Sequence, residues 1–566
     1  MQPKSNTPII LCGGDINYSH LPIGTNRSNA MIPVNGKPVI GWILDELEQK
    51  GFREVVVVLQ FDNQKLGTYL QWSYSGRLQL HFAYVQPAGT ILHSLLAGLS
   101  WVMPGKGIYL VLGDTLIEDP LPEATDFVFT GPYDEPENWC LAETGRDGFL
   151  KALYDKASVV KASLSALAGG YVLSRADLLR SIVVQQIQQQ KKELSAALEA
   201  YNALIPLKTI PTVRWYDFGH IGGFNRAKRT LLQSRYFNSL TIDPVKGVIT
   251  KKSEKTEKLA DELNWYQSLP DALKIFTPRI LANESSNGQI EIVQEFYGYP
   301  NLAELYVFGD LDPSVWKNAL QQLMEVHLRF RAIPGDLHPN DLEAMYRDKT
   351  FSRLELLKNE PFWRALLSAE TIEVNGEVLR NLPLLSNELN DGIEALLQNT
   401  TGTVIHGDYC FSNILYDLNT QIIRLIDPRG SFGKKGILGD PRYDMAKLRH
   451  SVSGLYDFIL ADLFKLESID NKNAFRFEVF KPEKQEMLAI YADELIAENG
   501  YNIQEIRLIE ALLFLSMAPY HAGKAKRQIA MYLTGIRMLN NLFDHENRYR
   551  SGRHHLSDQT KRPALP

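Results

Sequence analysis

The sequence predicts an α/β domain followed by a mainly helical α+β domain. Three features of its 566 residues carry this. Up to about residue 233, short apolar runs alternate with amphipathic stretches, the pattern of strands covered by helices. From Tyr236 the character changes to short paired strands followed by helical segments. A β-rich block around 404–427 then interrupts those helices. The expected boundaries are 1–233 and 234–545, with a polar, basic, Pro-containing stretch 546–566 as a loose tail.

Taken in order, Thr7–Leu11 reads as a strand, Val39–Gln49 as a helix and Glu54–Gln60 (EVVVVLQ) as a buried strand. Ile91–Trp101 reads as a helix and Gly107–Leu112 as a second buried strand, so the sheet is expected to be mostly parallel. Residues 179–204, rich in Gln, Lys, Leu and Ala, read as an exposed helix. In the second domain, Ser239–Asp243 and Val248–Lys252 flank the turn Pro-Val-Lys-Gly. A helix at Glu257–Ser268 and an apolar strand at Ile290–Phe296 follow.

Composition narrows the partners. With 45% hydrophobic and 22% charged residues there is enough apolar material for more than one core. A net charge of −6 points to neither nucleic acid nor a membrane surface, and no run of ~18 apolar residues suggests a span. Cys12, Cys140 and Cys410 lack metal-ligand spacing and are odd in number, which suits a reducing cytoplasm rather than a disulfide framework. The opening MQPKSNTPIILCGG has no secretory pattern.

The strongest motif is Val404-Ile-His406-Gly-Asp408-Tyr-Cys-Phe-Ser-Asn413, followed by the apolar strand Ile-Ile-Arg-Leu-Ile that ends in Asp427. Phosphoryl transfer needs one carboxylate to orient a hydroxyl and take its proton, and an amide and a second carboxylate to hold magnesium. The motif supplies all three. It resembles the catalytic and metal-binding segments of aminoglycoside phosphotransferases, choline kinases and related kinase-like enzymes. That resemblance implies Asp408 as the base, Asn413 and Asp427 as Mg2+ ligands, and His406 as support for the catalytic loop. The segment Gly439-Asp-Pro-Arg-Tyr-Asp444-Met-Ala-Lys-Leu matches the helix start that follows in this family and would buttress the loop.

A kinase-like small lobe requires a strand-borne Lys for the ATP phosphates and a helix-borne Glu to hold it. Side-chain alternation lets only one of Lys251 and Lys252 face the cleft. Lys251 is preferred, with Glu262 as its partner. No Gly-rich loop precedes it. Ser234-Arg-Tyr-Phe-Asn238-Ser stands in that place, with Asn238 as a phosphate contact, and Val293-Gln-Glu295-Phe-Tyr297 is the candidate adenine hinge. Tyr409, Trp363 and Tyr520 are either an aromatic cage for a cationic amino alcohol or ordinary core and rim residues.

The N-terminal domain carries a second pattern. Pro8-Ile-Ile-Leu-Cys-Gly13-Gly14-Asp leads to Arg27-Ser-Asn29 and then to Val-Asn-Gly-Lys37-Pro. Gln86-Pro-Ala-Gly89-Thr90, Val-Leu-Gly-Asp114, Gly169-Gly-Tyr-Val and Trp215-Tyr-Asp217-Phe-Gly-His come later in the same order. Together these resemble sugar-phosphate nucleotidylyltransferases, which implies a Rossmann-like mixed sheet of the nucleotidyltransferase/GT-A type. By that resemblance Gly13, Gly14, Gly89 and Thr90 contact the nucleotide, and Asp114 and Asp217 hold Mg2+. The sequence departs from the family where a Pro-Lys pair is usual, since Ser28-Asn29 stands there. Arg27 and Lys37 are the cations available in its stead.

A kinase-like and a nucleotidylyltransferase-like domain on one chain imply consecutive steps. ATP would phosphorylate a small sugar, polyol or amino alcohol, and a second NTP, CTP or another, would transfer its nucleotide onto that phosphate. The pairing resembles two-domain proteins of capsular polysaccharide biosynthesis. The alternative is a kinase with a non-catalytic nucleotide- or sugar-binding N-terminal domain. Partners are then small molecules, and a homo-oligomer stays open.

Overall fold

A computed structural model describes residues 6–13, 29–87, 89–156, 164–235, 240–243, 245–253, 256–286, 289–309, 311–398, 401–469, 473–482, 484–521 and 523–557. The chain divides into two compact units. One holds residues 1–235 with 304–310, and the other holds 236–303 with 311–566.

The first unit is built on a nine-stranded mixed sheet. Its centre is parallel, in the order Ile108–Leu112, Thr7–Cys12, Glu54–Gln60, Gln79–Val85. These strands read as unbroken apolar runs because both faces are covered. All but the first residue of Glu54–Gln60 are buried. The helix Val39–Gln49 buries Val39, Ile40, Trp42, Ile43, Leu44 and Leu47, spaced as one helical stripe. Beyond Ile108–Leu112 the sheet turns antiparallel through the ten-residue strand Leu164–Leu173, which also pairs with Phe127–Gly131 and Cys140–Thr144.

The stretch 179–204 is not one exposed helix. It forms two helices, Ala176–Gln188 and Leu194–Asn202, separated by Gln190 at φ 60°. Leu179, Ile182 and Val183 on one, and Leu194, Ala197, Leu198 and Tyr201 on the other, enter the core around the sheet. Their three- and four-residue spacing is a buried stripe that the Gln-rich composition disguises.

The second unit opens with a four-stranded antiparallel sheet in the order Leu240–Asp243, Val248–Ser253, Gln289–Glu295, Ile280–Ser286. The helix Thr256–Ser268 follows its second strand. The helical part includes Pro313–Arg331, Pro441–Val452 and Ile503–Met517. Each of these has a side-chain N-cap, from Asp312, Asp440 and Asn502 respectively.

Two further strand pairs, Thr371–Val374 with Glu377–Arg380 and Phe464–Ile469 with Ala474–Val479, combine into a second four-stranded sheet. The sequence pattern reads this part of the chain as mainly helical outside the block around 404–427, and this sheet lies outside that block. The signal was present as Val374-Asn375-Gly376-Glu377, where Asn375 and Gly376 adopt φ 58° and 84°, the two positive values of a tight hairpin turn. The last helix, Ala525–Ser557, continues well into the stretch expected to be a loose tail. Among the described residues no helix is long and apolar enough to cross a membrane.

Candidate active sites

In the second unit, the strand Thr401–Val404 delivers the chain into His406-Gly-Asp408. Gly407 adopts φ 77°, and a Cβ on it would stand 2.8 Å from Arg429 Cβ, so the turn needs glycine twice over. The N–H groups of His406 and Gly407 both donate to the Asp444 carboxylate at 2.8 Å. Burial pushes that carboxyl up to about 7 against the pull of the two donors. Trp265 Nε1 donates to Ile405 O at 2.8 Å, and its ring meets the His406 edge. The loop is therefore clamped from two helices. His406 itself is 1% exposed, and burial pushes its pKa down to about 4, so the ring is neutral and accepts the Asp408 N–H at 3.3 Å. It supports the loop from behind.

Asp408 is about a third exposed, with 37% of its side chain open. Asn413 Nδ2 donates to its Oδ2 at 2.9 Å and to its carbonyl at 3.0 Å. Lys447 Nζ lies 2.8 Å from its other oxygen. Burial would raise the Asp408 pKa, but Lys447 holds it well below the usual carboxylate range. The neighbouring hairpin Ile414–Tyr416 with Ile423–Leu425 carries the chain to Asp427 at φ 54°. Ile426 N donates to Asn413 O at 3.0 Å, which couples the two motif segments.

Lys251 reaches both Glu262 Oε1, at 2.7 Å, and Asp427. Burial is the largest influence on this lysine and works against its charge, but the two acids hold its pKa above the ordinary lysine range. The structure thus brings together His406, Asp408, Asn413, Asp427, Lys251 and Glu262. Glu295 binds Arg279 Nε at 2.5 Å and accepts from Tyr297 Oη at 2.7 Å, which braces the edge of the small sheet. Asn238 lies outside the described residues.

Lys447 was missed at the sequence level. It sits one turn after Asp444 on the Pro441–Val452 helix, so the same helix supports the loop and charges its acid. The aromatic-cage option dissolves. Tyr409 and Trp363 are each 1% exposed. Tyr409 Oη donates to Leu323 O, and Trp363 packs edge-on against Tyr532. Tyr520 is exposed and stacks on Arg353.

In the first unit, the short strands Thr115–Ile117 and Trp215–Asp217 pair antiparallel with Asp217 opposite Thr115. This places Asp114 and Asp217 side by side. Phe218 N donates to Asp114 O at 2.9 Å. A Cβ on Gly219 would stand 3.0 Å from Asp114 Oδ2 and 3.3 Å from Asp217 Oδ1, so both carboxylates face one small space. His220 Nδ1 is 3.0 Å from Asp217 Oδ2, and that hydrogen bond raises the imidazole pKa against burial.

Gly13 follows the first strand where a Cβ would collide with Val85 and Ser94, and Gln60 Nε2 donates to its carbonyl at 3.2 Å. Gly89 N donates to Gln86 O at 2.9 Å, and Thr90 caps the helix Ile91–Leu99 in a capping box with His93. Lys37 is engaged by Asp45 and lies over the Trp42 ring at 4.4 Å. Gly14 and Arg27 lie outside the described residues, as does the side chain of Asn29.

Comparison with known proteins adds the family context. The model for the MobA-like NTP transferase domain matches residues 9–122, and that for the phosphotransferase enzyme family matches residues 244–458. A bifunctional protein GlmU from Methanococcus maripaludis strain C5 is 26% identical over 221 residues, 38% of this chain and 51% of the relative. The chain thus spans about half the length of that curated relative. Among solved structures, HddC from Yersinia pseudotuberculosis aligns over 40% of this chain and 99% of its own, at 15% identity and a TM-score of 0.33. A UDP-glucose pyrophosphorylase complexed with UDP-glucose aligns over 41% and 100%, at 16% identity and a TM-score of 0.34. With the two domain matches lying in order along the sequence, the chain is a fusion of a nucleotidyltransferase-type domain and a kinase-like phosphotransferase domain.

Proposed function

We propose that the phosphotransferase domain moves the γ-phosphoryl group of ATP to the hydroxyl of a small molecule, and that the N-terminal domain then transfers a nucleotide onto the new phosphate. The observation that carries the first step is Lys251 meeting Glu262 and, across 176 positions of sequence, Asp427. A strand-borne cation tied to a helix-borne acid and to the acid after the catalytic loop is the set that phosphoryl transfer uses.

In this reading Asp408 orients the acceptor hydroxyl and takes its proton as the oxygen bonds to the γ-phosphorus. The bond from that phosphorus to the β,γ-bridging oxygen breaks, and ADP leaves. Asn413 and Asp427 offer amide and carboxylate oxygens, a donor set that suits Mg2+. The Asn413 amide turns its NH2 to Asp408, which directs Oδ1 elsewhere, and the Asp427 carboxylate is 53% open. When bound there, such an ion supplies charge neutralisation on the phosphates.

In the N-terminal domain, Asp114 and Asp217 would likewise offer oxygens to Mg2+. The acceptor phosphate oxygen would bond to the α-phosphorus of the second NTP, the α,β bridge would break, and pyrophosphate would leave. The product class is an activated NDP-sugar or CDP-alcohol type of precursor, as expected for surface polysaccharide assembly in the cytoplasm. A second reading, a kinase with a nucleotide-binding but non-catalytic N-terminal domain, is favoured by Ser28-Asn29 and by the engagement of Lys37 with Asp45. Supplying a metabolite pool, ATP and each NTP in turn, and assaying pyrophosphate, separates the two. ADP formation with no pyrophosphate from any NTP refutes the bifunctional reading.

The Lys447–Asp408 contact makes a pH prediction. Asp408 is held low by Lys447, so its ionised, base-competent form persists to pH values below the ordinary carboxylate range. In Lys447→Met the largest opposition to burial is gone while the Asn413 hydrogen bond and the Arg429 charge stay, and the acid limb of ADP formation should move up by about 1–3 pH units. A variant whose activity falls with an unmoved acid limb would assign Lys447 a purely structural role.

A further inference from the structure

Beside Asp408 the second unit gathers more positive charge than its own acids balance. The helix Lys349–Leu357 follows a π-helical turn at Ala344–Asp348, a local widening frequent at functional sites. Lys349 and Arg353 are one turn apart on that helix and share a face. Lys349 Nζ donates to Tyr443 Oη at 2.8 Å and lies over the Tyr443 ring at 5.0 Å. Tyr443 is itself one turn before Lys447, the partner of Asp408. Arg353 donates to Tyr520 Oη at 2.7 Å and to Ser516 O at 3.2 Å. Arg429 packs on Gly407, donates its backbone N–H to His406 O at 3.0 Å, and carries a buried Nε with no hydrogen-bond partner.

Among the described residues, none of Lys349, Arg353 and Arg429 forms an ion pair with a carboxylate, whereas Lys447 is neutralised by Asp408. Burial, then the nearby Arg429, Arg353 and Lys447, push the Lys349 amine well below the usual lysine range, and a bound anion would offset that cost. Guanidinium groups also present paired donors that match the two oxygens of a carboxylate or phosphate. A cationic amino alcohol would meet repulsion from the same groups.

We propose that the acceptor phosphorylated at Asp408 is an alcohol that also carries an anionic group, a carboxylate or a phosphate, seated by Lys349, Arg353 and Arg429. This rests on the kinase reading of the same centre. It narrows the acceptor to acids and excludes the neutral polyols and amino alcohols that the family resemblance left open.

The test uses the full chain, ATP and a metabolite pool split into three fractions: retained on an anion exchanger, retained on a cation exchanger, and retained on neither. ADP formation is expected with the anion-exchanger fraction. Alkaline phosphatase treatment of that fraction separates the sources, since activity survives for a carboxylate acceptor and is lost for a phosphate one. With the active fraction as acceptor, Lys349→Gln and Arg353→Gln should each raise the half-saturating amount at least tenfold and leave that for ATP unchanged. Should Lys349→Gln fail to fold, the more peripheral Arg353→Gln carries the same comparison. Activity confined to the cationic or neutral fraction, or variants that bind acceptor as well as the native chain, overturns the proposal. If none of the three fractions supports ADP formation, the kinase reading beneath the proposal is overturned.

Discussion

Replacing Asp408 by Asn is expected to lower ADP formation by about 10²–10⁴-fold, the usual worth of a positioned general base. The argument is geometric. Asp408 combines an open face with two supports, Asn413 Nδ2 on one oxygen and Lys447 on the other. Asn keeps the shape and can still accept a hydrogen bond, but it cannot take a proton. The substitution also strips Lys447 of its counter-charge in a buried position, so a fall in stability would confound the result. Breaking a buried pair costs about 3–5 kcal/mol, and the partial exposure of Asp408 brings the figure below that range. The double variant Asp408→Asn/Lys447→Met removes both charges. It should recover much of the melting temperature and none of the activity. Equal turnover by Asp408→Asn and the native chain would remove Asp408 from the reaction.

How much of this was legible in the sequence differs between the two centres. Asp408, Asn413 and Asp427 lie within one short stretch, so local spacing alone displays the chemistry. Lys251 and Glu262 were legible for the same reason, as neighbours on a strand and the helix after it. Lys447, Lys349 and Arg353 were not, because their relation to Asp408 exists only after separate helices pack. No periodicity encodes a tertiary ion pair. Likewise, Asp114 and Asp217 become neighbours through the pairing of two three-residue strands, too short to register as β in a pattern reading. Resemblance alone pointed to them. The departures in the fold have a common origin: composition masks spacing. It hid the buried stripe of Leu194, Ala197, Leu198 and Tyr201 and the hairpin turn at Asn375-Gly376.

Asp114→Asn is expected to lower pyrophosphate release at least a hundredfold and to leave ADP formation at the native level, because the two carboxylates belong to a different compact unit from Asp408. A metal-binding carboxylate at a phosphoryl centre supplies several kcal/mol of charge stabilisation, and each 1.36 kcal/mol is tenfold in rate. Loss of charge is only half of the test, since an Asp at a strand end can also be a turn or cap residue. Gly219→Ala addresses the other half. Its backbone is not left-handed, so alanine is compatible with the chain path, yet the added methyl would stand 3.0 and 3.3 Å from the two carboxylates. It fills the shared space without changing a charge. If that space holds the reacting phosphates, Asp114→Asn and Gly219→Ala should both abolish pyrophosphate release. Both should also weaken the thermal stabilisation of the native chain by the preferred NTP. If the carboxylates only shape the turn, Gly219→Ala would retain NTP binding and turnover while Asp114→Asn lowered the melting temperature. The second reading predicts a third pattern. NTP would stabilise the native chain but never yield pyrophosphate, and Gly219→Ala would abolish the stabilisation, as expected of a nucleotide site that has the two carboxylates and carries Asn29 in place of a lysine.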